Sequence, residues 1–385
     1  MKRKLMALML AGIMVIQSAG TSWAAEFTDG VNVEYGDSSE NGNEEAFSDE
    51  QTETEDFEDN SPEKDLTEES EVPAMASGDI SDENVKVSFD NGTLIISGSG
   101  EITRALIENC GHSVWDITSV IIKKGLTSIG EKVFDNCQRL KSIEIPDSVT
   151  NIEAGAFDGC SSLKSIEIPD SVTNIGAGAF DGCSSLNSIE IPDSVTNIGD
   201  YTFSCCSSLN SIEIPNSVTS IGAGAFDGCS SLNSIEIPKS VTSIGVSAFS
   251  CCRSLNSIEI PKSVTSIESW AFEYCSSLKS IEIPDSVTSI GAGAFYNCSS
   301  LKSIEIPNSV TGIASSAFYN CSSLKRIEIP NSVAYIWNDA FHGCSSLSSI
   351  EIPDSVTNIR GYAFYGCSSL KSIEIPDSVT SIGSY

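Results

Sequence analysis

The sequence predicts a repeat solenoid of α/β type, a right-handed coil of 23-residue units. Short strands form a parallel sheet on one face, short helical, 3₁₀ or irregular segments line the other, and a β-hairpin caps the N-terminus. Three observations predict it. Eleven prolines, from Pro146 to Pro376, fall 23 residues apart without one insertion. Phe recurs at that period from Phe134 to Phe364, Cys from Cys137 to Cys367 and Leu from Leu140 to Leu370. Each unit holds a Leu-x-x-Ile-x-Ile core in which apolar and polar residues alternate, the period of a strand buried on one side.

Four segments follow in chain order. Residues 1–24 read as a secretory signal: Met1-Lys2-Arg3-Lys4, an apolar run from Leu5 to Ile16, then Ser22-Trp23-Ala24 before a cleavage point. Residues 25–78 hold 19 acidic residues against one basic residue, Lys64, with no apolar period, and are expected to be a disordered linker. Residues 79–119 are expected to be a β-rich cap. There Val85–Phe89 and Thr93–Ser97 flank Asp90-Asn91-Gly92, a hairpin signal, while Leu106, Ile107 and Trp115 are placed to cover the first rung. Residues 120–385 form the solenoid of about eleven units, the last incomplete. The formal net charge of −32 argues against nucleic acid and anionic membrane as partners, because both would be repelled. No later segment is apolar enough to insert into a bilayer.

One unit, Leu163 to Cys183, shows the physics. Ile166 and Ile168 alternate with Ser165 and Glu167 as a strand. Pro169 lacks the N–H that a continuing strand needs and ends it. Val172 and Ile175 turn the chain back over the core. Ala179, Phe180 and Cys183 have near-helical spacing on the opposite side. Twelve strands, from Val120–Ile122 to Ile373–Ile375, would stack to roughly 55 Å at about 4.8 Å each. Serine at the second place after each proline, Ser148 to Ser378, reads as a hydroxyl ladder that satisfies turn backbone.

The phrase "IP-D-SVT-x-IG-x-x-AF-x-GCSSLKSIE" closely resembles the BspA-type leucine-rich repeats of bacterial surface antigens, over about residues 120–385. "VSFDNGTLIISGSGEI" and Trp115 resemble the N-terminal cap of that family. The resemblance implies a leucine-rich-repeat-like fold and a secreted or cell-surface protein, with some members acting as adhesins for host matrix proteins or other cells. This chain carries no wall-sorting motif or membrane anchor. It stops at "SIGSY", halfway through a unit, so either a neighbouring copy covers the last rung in end-to-end self-association or the chain is a fragment of a longer surface protein.

In a solenoid the unit of function is a column, one position followed through every repeat. The glutamate between the strand isoleucines runs from Glu144 to Glu374, and Glu167, Glu190, Glu213, Glu236, Glu259, Glu282, Glu305, Glu328 and Glu351 are its candidate binding residues. Two such charges about 5 Å apart in water repel by roughly 0.8 kcal/mol before screening. Lys141, Lys164, Lys279, Lys302, Lys325 and Lys371, three residues earlier, are expected to compensate by partial ion pairing. Lys239, Lys262 and Arg326 add isolated positive charge nearby. The strip reads as a solvated polar face or as an attractor for a basic partner. One carboxylate per rung does not supply the 6–8 oxygens that calcium prefers, so no metal site is expected.

A second column follows the repeat Phe. It runs Asp158, Asp181, Ser204, Asp227, Ser250 and Glu273, then Tyr296, Tyr319, His342 and Tyr365. The latter four, with Trp337, are candidates for a protein or glycan contact, read as a stack of exposed rings. Trp270, Tyr335 and Tyr362 extend them. Of the 14 cysteines, eleven form the repeat column and read as buried thiols, with rung-to-rung disulfides sterically allowed. No C-x-x-C occurs, and His112 and His342 stand apart, so neither a zinc site, nor a cofactor, nor catalysis is expected. The expectation is a secreted or surface-displayed interaction module acting in adhesion to host matrix proteins or other cells. The competing reading is a non-binding structural spacer or stalk.

Overall fold

A computed structural model describes residues 80–82 and 84–385. The expected leader and the whole of the expected acidic linker lie outside the described residues. The cap begins with β1 (Ile80–Asp82), antiparallel to β2 (Val85–Asp90), which pairs with β3 (Thr93–Gly98) in the expected hairpin. Asp90 opposes Thr93, leaving Asn91 and Gly92 as a two-residue loop. Both have positive φ, 47° and 83°, which matches the right-handed twist of the flanking strands. β3 pairs in parallel with β5 (Ser119–Ile122), the first rung's strand, which pairs with β7 (Ser142–Glu144). The hairpin is thus the first layer of the sheet that the repeats continue.

Most rungs carry two short strands rather than one, and the rung of Glu213 has an isolated bridge in place of the first. The Val-Thr-x-Ile segment, expected only to turn the chain, forms a second parallel sheet. It starts at β4 (Gly100–Ile102) and runs through β6 (Leu126–Ile129) and β8 (Asn151–Ile152). Its later strands lie in register, Asn151 beside Asn174 and Ser220 beside Ser243. The two sheets and the segment that closes each rung enclose one core.

That closing segment is a run of turns, not a helix, among the described residues. Its N–H groups alternate between two partners. Ala156, Asp158 and Cys160 bond three residues back, whereas Gly155, Phe157 and Gly159 donate to Ala177, Ala179 and Asp181 of the next rung. Two residues per rung hold left-handed φ, Gly155 and Gly159 in one unit and Tyr201 and Cys205 in another. A left-handed residue every fourth position stops a helix that the apolar spacing alone suggests. These bonds all run forward, so the first rung's carbonyls face no repeat. Arg104, in α1 (Arg104–Glu108), closes part of that edge, its guanidinium donating to the carbonyls of Lys132 and Asp135 at 2.9 and 3.0 Å.

The core is columnar. Phe134 to Phe364 stack face to face with centroids 5.4–5.7 Å apart. Burying each such ring stabilises the fold by about 1.5–3 kcal/mol, but only because the next rung covers it. The serine ladder forms as expected: Ser171 Oγ donates to the Val149 carbonyl at 2.7 Å and Ser217 Oγ to that of Val195 at 2.6 Å. It breaks at Ser355, whose buried hydroxyl finds no partner.

Two expectations fail. Trp115 is not buried over the first rung: it is 50% exposed in a 3₁₀ turn (Val114–Asp116), while Leu106, Ile107 and Ile117 are buried. Val114 of that turn packs against the core instead. The twelfth strand, Ile373–Ile375, does not form, and Ile375 is 41% exposed. A strand this short exists only by pairing, and Ser349–Glu351 pairs on its other side alone.

Candidate functional site

The first strand of each rung decides where the glutamates point. Its isoleucine is held in the core, so the residues on either side face outward. All nine candidate glutamates, Glu167 to Glu351, are exposed. Glu305, Glu328 and Glu351 lie in direct register, as do Glu190, Glu213 and Glu236, and Glu259 with Glu282. The lysines expected to neutralise them do not. Among the described residues the strip makes one ion pair, Arg326 to Glu328 at 3.8 Å. The reason is the strand period: Arg326 is two residues from its glutamate and shares its face, whereas each lysine is three away. The ladder is therefore a line of almost unpaired carboxylates about 4.8 Å apart.

Beside the strip lies the line of repeat prolines, buried at Pro238, Pro261, Pro284 and Pro307. Over the rungs of Glu236, Glu259, Glu282 and Glu305, strip and prolines together line an open groove of about 1580 Å³. Lys239 and Lys262 line it, each directly after its proline, and both are exposed.

On the rung-closing side, the column after Phe has two characters. In the N-terminal half its carboxylates are half-buried. Burial pushes the Asp158 carboxyl up to about 6, with Asp181 and Asp135 adding repulsion. Burial also raises Asp181 and Asp227, with hydrogen bonds from Ser204 and Ser250 pulling back, and it raises Glu273, with Asp227 adding. Ser204 and Ser250 themselves are buried. Repeated carboxylates in one column were legible in the sequence; their burial was not, because it depends on the left-handed turns beside them.

In the C-terminal half the column is aromatic, and its rings are not simply exposed. Tyr296 and Tyr319 stack at 4.6 Å and Tyr319 and His342 at 4.3 Å, so their faces cover one another and their edges meet solvent. Tyr365, tilted 5.0 Å from His342, is 52% exposed and ends the series. Trp270 and Tyr274 abut Tyr296 edge-on. Asp339 Oδ1 accepts from Nδ1–H of His342 at 2.9 Å, which fixes that ring. Burial raises the Tyr296 hydroxyl, and Tyr319 and Tyr274 add to it. Trp337 stands apart from this ladder: it lies 6.3 Å from Tyr335, with the Arg360 guanidinium 5.5 Å over its ring.

The cysteines of the repeat column are free and buried. Each thiol from Cys160 onward donates to the carbonyl of the Phe 26 residues earlier, at 3.1–3.2 Å. Burial lifts them far from the reactive range, Cys137 to about 12. Cys205 is exposed and Cys251 partly so, both with left-handed φ at a place that most other rungs give to glycine or asparagine. Among the described residues, no three His, Cys, Asp or Glu side chains are grouped to hold a metal ion, and no helix is long and apolar enough to cross a membrane.

Residues 106–229, 196–325 and 271–385 match the BspA type leucine rich repeat region, in six copies. A leucine-rich repeat protein from Bacteroides ovatus is 31% identical, over 80% of this chain and 91% of its own, with a TM-score of 0.63. A leucine rich cell surface protein from Faecalibacterium prausnitzii is 34% identical, over 78% and 95%, with a TM-score of 0.51. A leucine-rich repeat protein from Eubacterium ventriosum is 27% identical, over 78% and 91%, with a TM-score of 0.57. No curated protein matches.

Proposed function

This chain belongs to the BspA-type leucine-rich repeat family, and from that premise we propose that it is an exported protein-interaction module, secreted or displayed at a cell surface, that acts in adhesion to host matrix proteins or other cells. In this reading residues 1–24 direct export, 25–78 are a spacer, 79–119 cap the solenoid, and 120–385 present the binding surface. The observation that carries it is the strip from Glu167 to Glu351: exposed, in register and almost without ion pairs. An uncompensated ladder costs stability in the free protein, and a basic partner surface relieves that repulsion. The cell-surface description of the Faecalibacterium relative supports the location. Tyr296, Tyr319, His342, Tyr365 and Trp337 form the second contact region, for protein or glycan. End-to-end self-association belongs to the same proposal.

The test is a binding panel of host matrix proteins, glycans and whole cells against the full chain. The expected result is attachment to at least one, lost when Tyr296, Tyr319 and Tyr365 are changed to Ser or when Glu259, Glu282 and Glu305 are changed to Gln, with the circular dichroism spectrum unchanged. A protein that binds none of them, before any mutation, is a spacer instead.

A further inference from the structure

The charge pattern beside the glutamate strip changes sides in two middle rungs and then changes back. Outside the middle rungs, lysine stands three residues before the glutamate, at Lys141, Lys164, Lys279, Lys302, Lys325 and Lys371, except where Ser348 takes the place. In four middle rungs that place holds asparagine, at Asn187, Asn210, Asn233 and Asn256, and in the latter two the positive charge stands across the strip, at Lys239 and Lys262. The place after the proline is otherwise Asp or Asn throughout the repeats, as at Asp170, Asp193 and Asp285. These two lysines line the open groove, and neither is in an ion pair among the described residues. The groove therefore offers a row of carboxylates and, alongside it, two neighbouring ammonium groups, with Asp285 next in their row.

We propose that this groove, over the rungs of Glu236 to Glu305, is a docking site for a helix of a partner protein that bears a basic stripe beside an acidic stripe. The proposal rests on the reading of the chain as an interaction module and gives that module's partner a shape. Charge complementarity demands both signs. A uniformly basic ligand meets Lys239 and Lys262, and a uniformly acidic one meets four glutamates. Spacing selects the helix. Successive rungs lie about 4.8 Å apart, and successive turns of an α-helix about 5.4 Å, so residues three or four apart keep pace with the rungs over the whole groove. Same-face residues of an extended strand, about 6.8 Å apart, slip by some 2 Å per rung. The glutamate and lysine rows are three residues apart, at most about 10 Å, a distance that two neighbouring stripes of one helix of about 10–12 Å diameter can span. Partner helices laid along grooves are an established recognition mode, read by anchors at such intervals.

The test uses the full chain and three labelled helical peptides of about 18 residues, some 27 Å long. One has a lysine stripe beside a glutamate stripe, one has lysine in both stripes, and one has the first composition scrambled. Fluorescence anisotropy at low salt should show the two-stripe peptide binding at least ~10-fold more tightly than either control. In the variant K239D/K262D the order should reverse in favour of the all-lysine peptide. Asp is what other rungs carry at this place, so the variant should keep the wild-type circular dichroism spectrum. The proposal is overturned if the all-lysine peptide binds the wild type as tightly as the two-stripe peptide, if K239D/K262D leaves the preference unchanged, or if the two-stripe peptide does not bind. All-lysine binding that is lost in E259Q/E282Q would leave the broader interaction reading standing while removing this one. Failure of every peptide would count against both.

Discussion

From Asp158 to Glu273 the residue after the core Phe is a carboxylate or a serine, and from Tyr296 to Tyr365 it is a ring. The backbone beneath does not register the change. Phe180 and Phe203 stack 5.7 Å apart in one half, Phe318 and Phe341 5.5 Å in the other, with near-parallel planes in both. The thiol-to-carbonyl bond is 3.2 Å at Cys183 and 3.1 Å at Cys321. One column can thus be rewritten from acidic to aromatic without disturbing the unit, because the core, the serine ladder and the forward N–H bonds specify the rung by themselves. The fold and the outward surface are carried by different letters of the same 23-residue phrase.

The comparison breaks first, if it breaks, in the core. Phe226→Ala and Phe318→Ala should each cost about 3–5 kcal/mol in urea unfolding and agree within ~1 kcal/mol. A clear inequality would mean that the halves differ below the surface too. The acidic half should also carry a pH signature that the aromatic half lacks. Asp158 has a folded value of about 6, above that of an ordinary carboxylate. The stability it contributes is present below about pH 4 and is lost as pH rises through about 6. Asp181, Asp227 and Glu273 shift the same way. Replacing these four by Asn or Gln should raise Tm by about 2–4 °C at pH 8 and leave it nearly unchanged at pH 4. An equal effect at both pH values would contradict their burial as charged groups.

In the aromatic half, Tyr319→Ala removes the ring between Tyr296 and His342 and should cost about 0.5–1.5 kcal/mol, with a loss of near-ultraviolet circular dichroism. The smallest effect is chemical. In the native protein a thiol reagent should modify Cys205 first and Cys251 more slowly, both in the acidic half, and no thiol of the repeat column before unfolding. Rapid modification of Cys298 or Cys321 would show that the core column is open.

Much of this was legible in sequence because a solenoid makes every structural requirement recur. Pro146 to Pro376 fixed the rung, the alternation around Ile166 fixed which way Glu167 points, and Ser148 to Ser378 announced their ladder. Four features were not legible, for physical reasons. The second sheet is hidden in Val-Thr-Asn-Ile, where two outward residues stand between the apolar ones and break strand alternation. The closing segment keeps helical spacing at Ala179, Phe180 and Cys183, yet Gly178 and Gly182 hold left-handed φ. Pairing of the lysines failed on a one-residue parity that charge counting ignores. The capping role of Arg104 depends on which rung edge lacks donors, a property of the stack and not of any unit.

The central claim is that the outward columns, the unpaired glutamates foremost, are what this molecule uses. Salt titration of attachment to whichever matrix protein or cell binds the full chain tests it most directly, with wild type beside E259Q/E282Q/E305Q. The account predicts that wild-type affinity falls by ~10-fold or more between about 50 and 300 mM salt, and that the variant starts weaker with a shallower slope. Equal affinity and equal slope for the two proteins would contradict it.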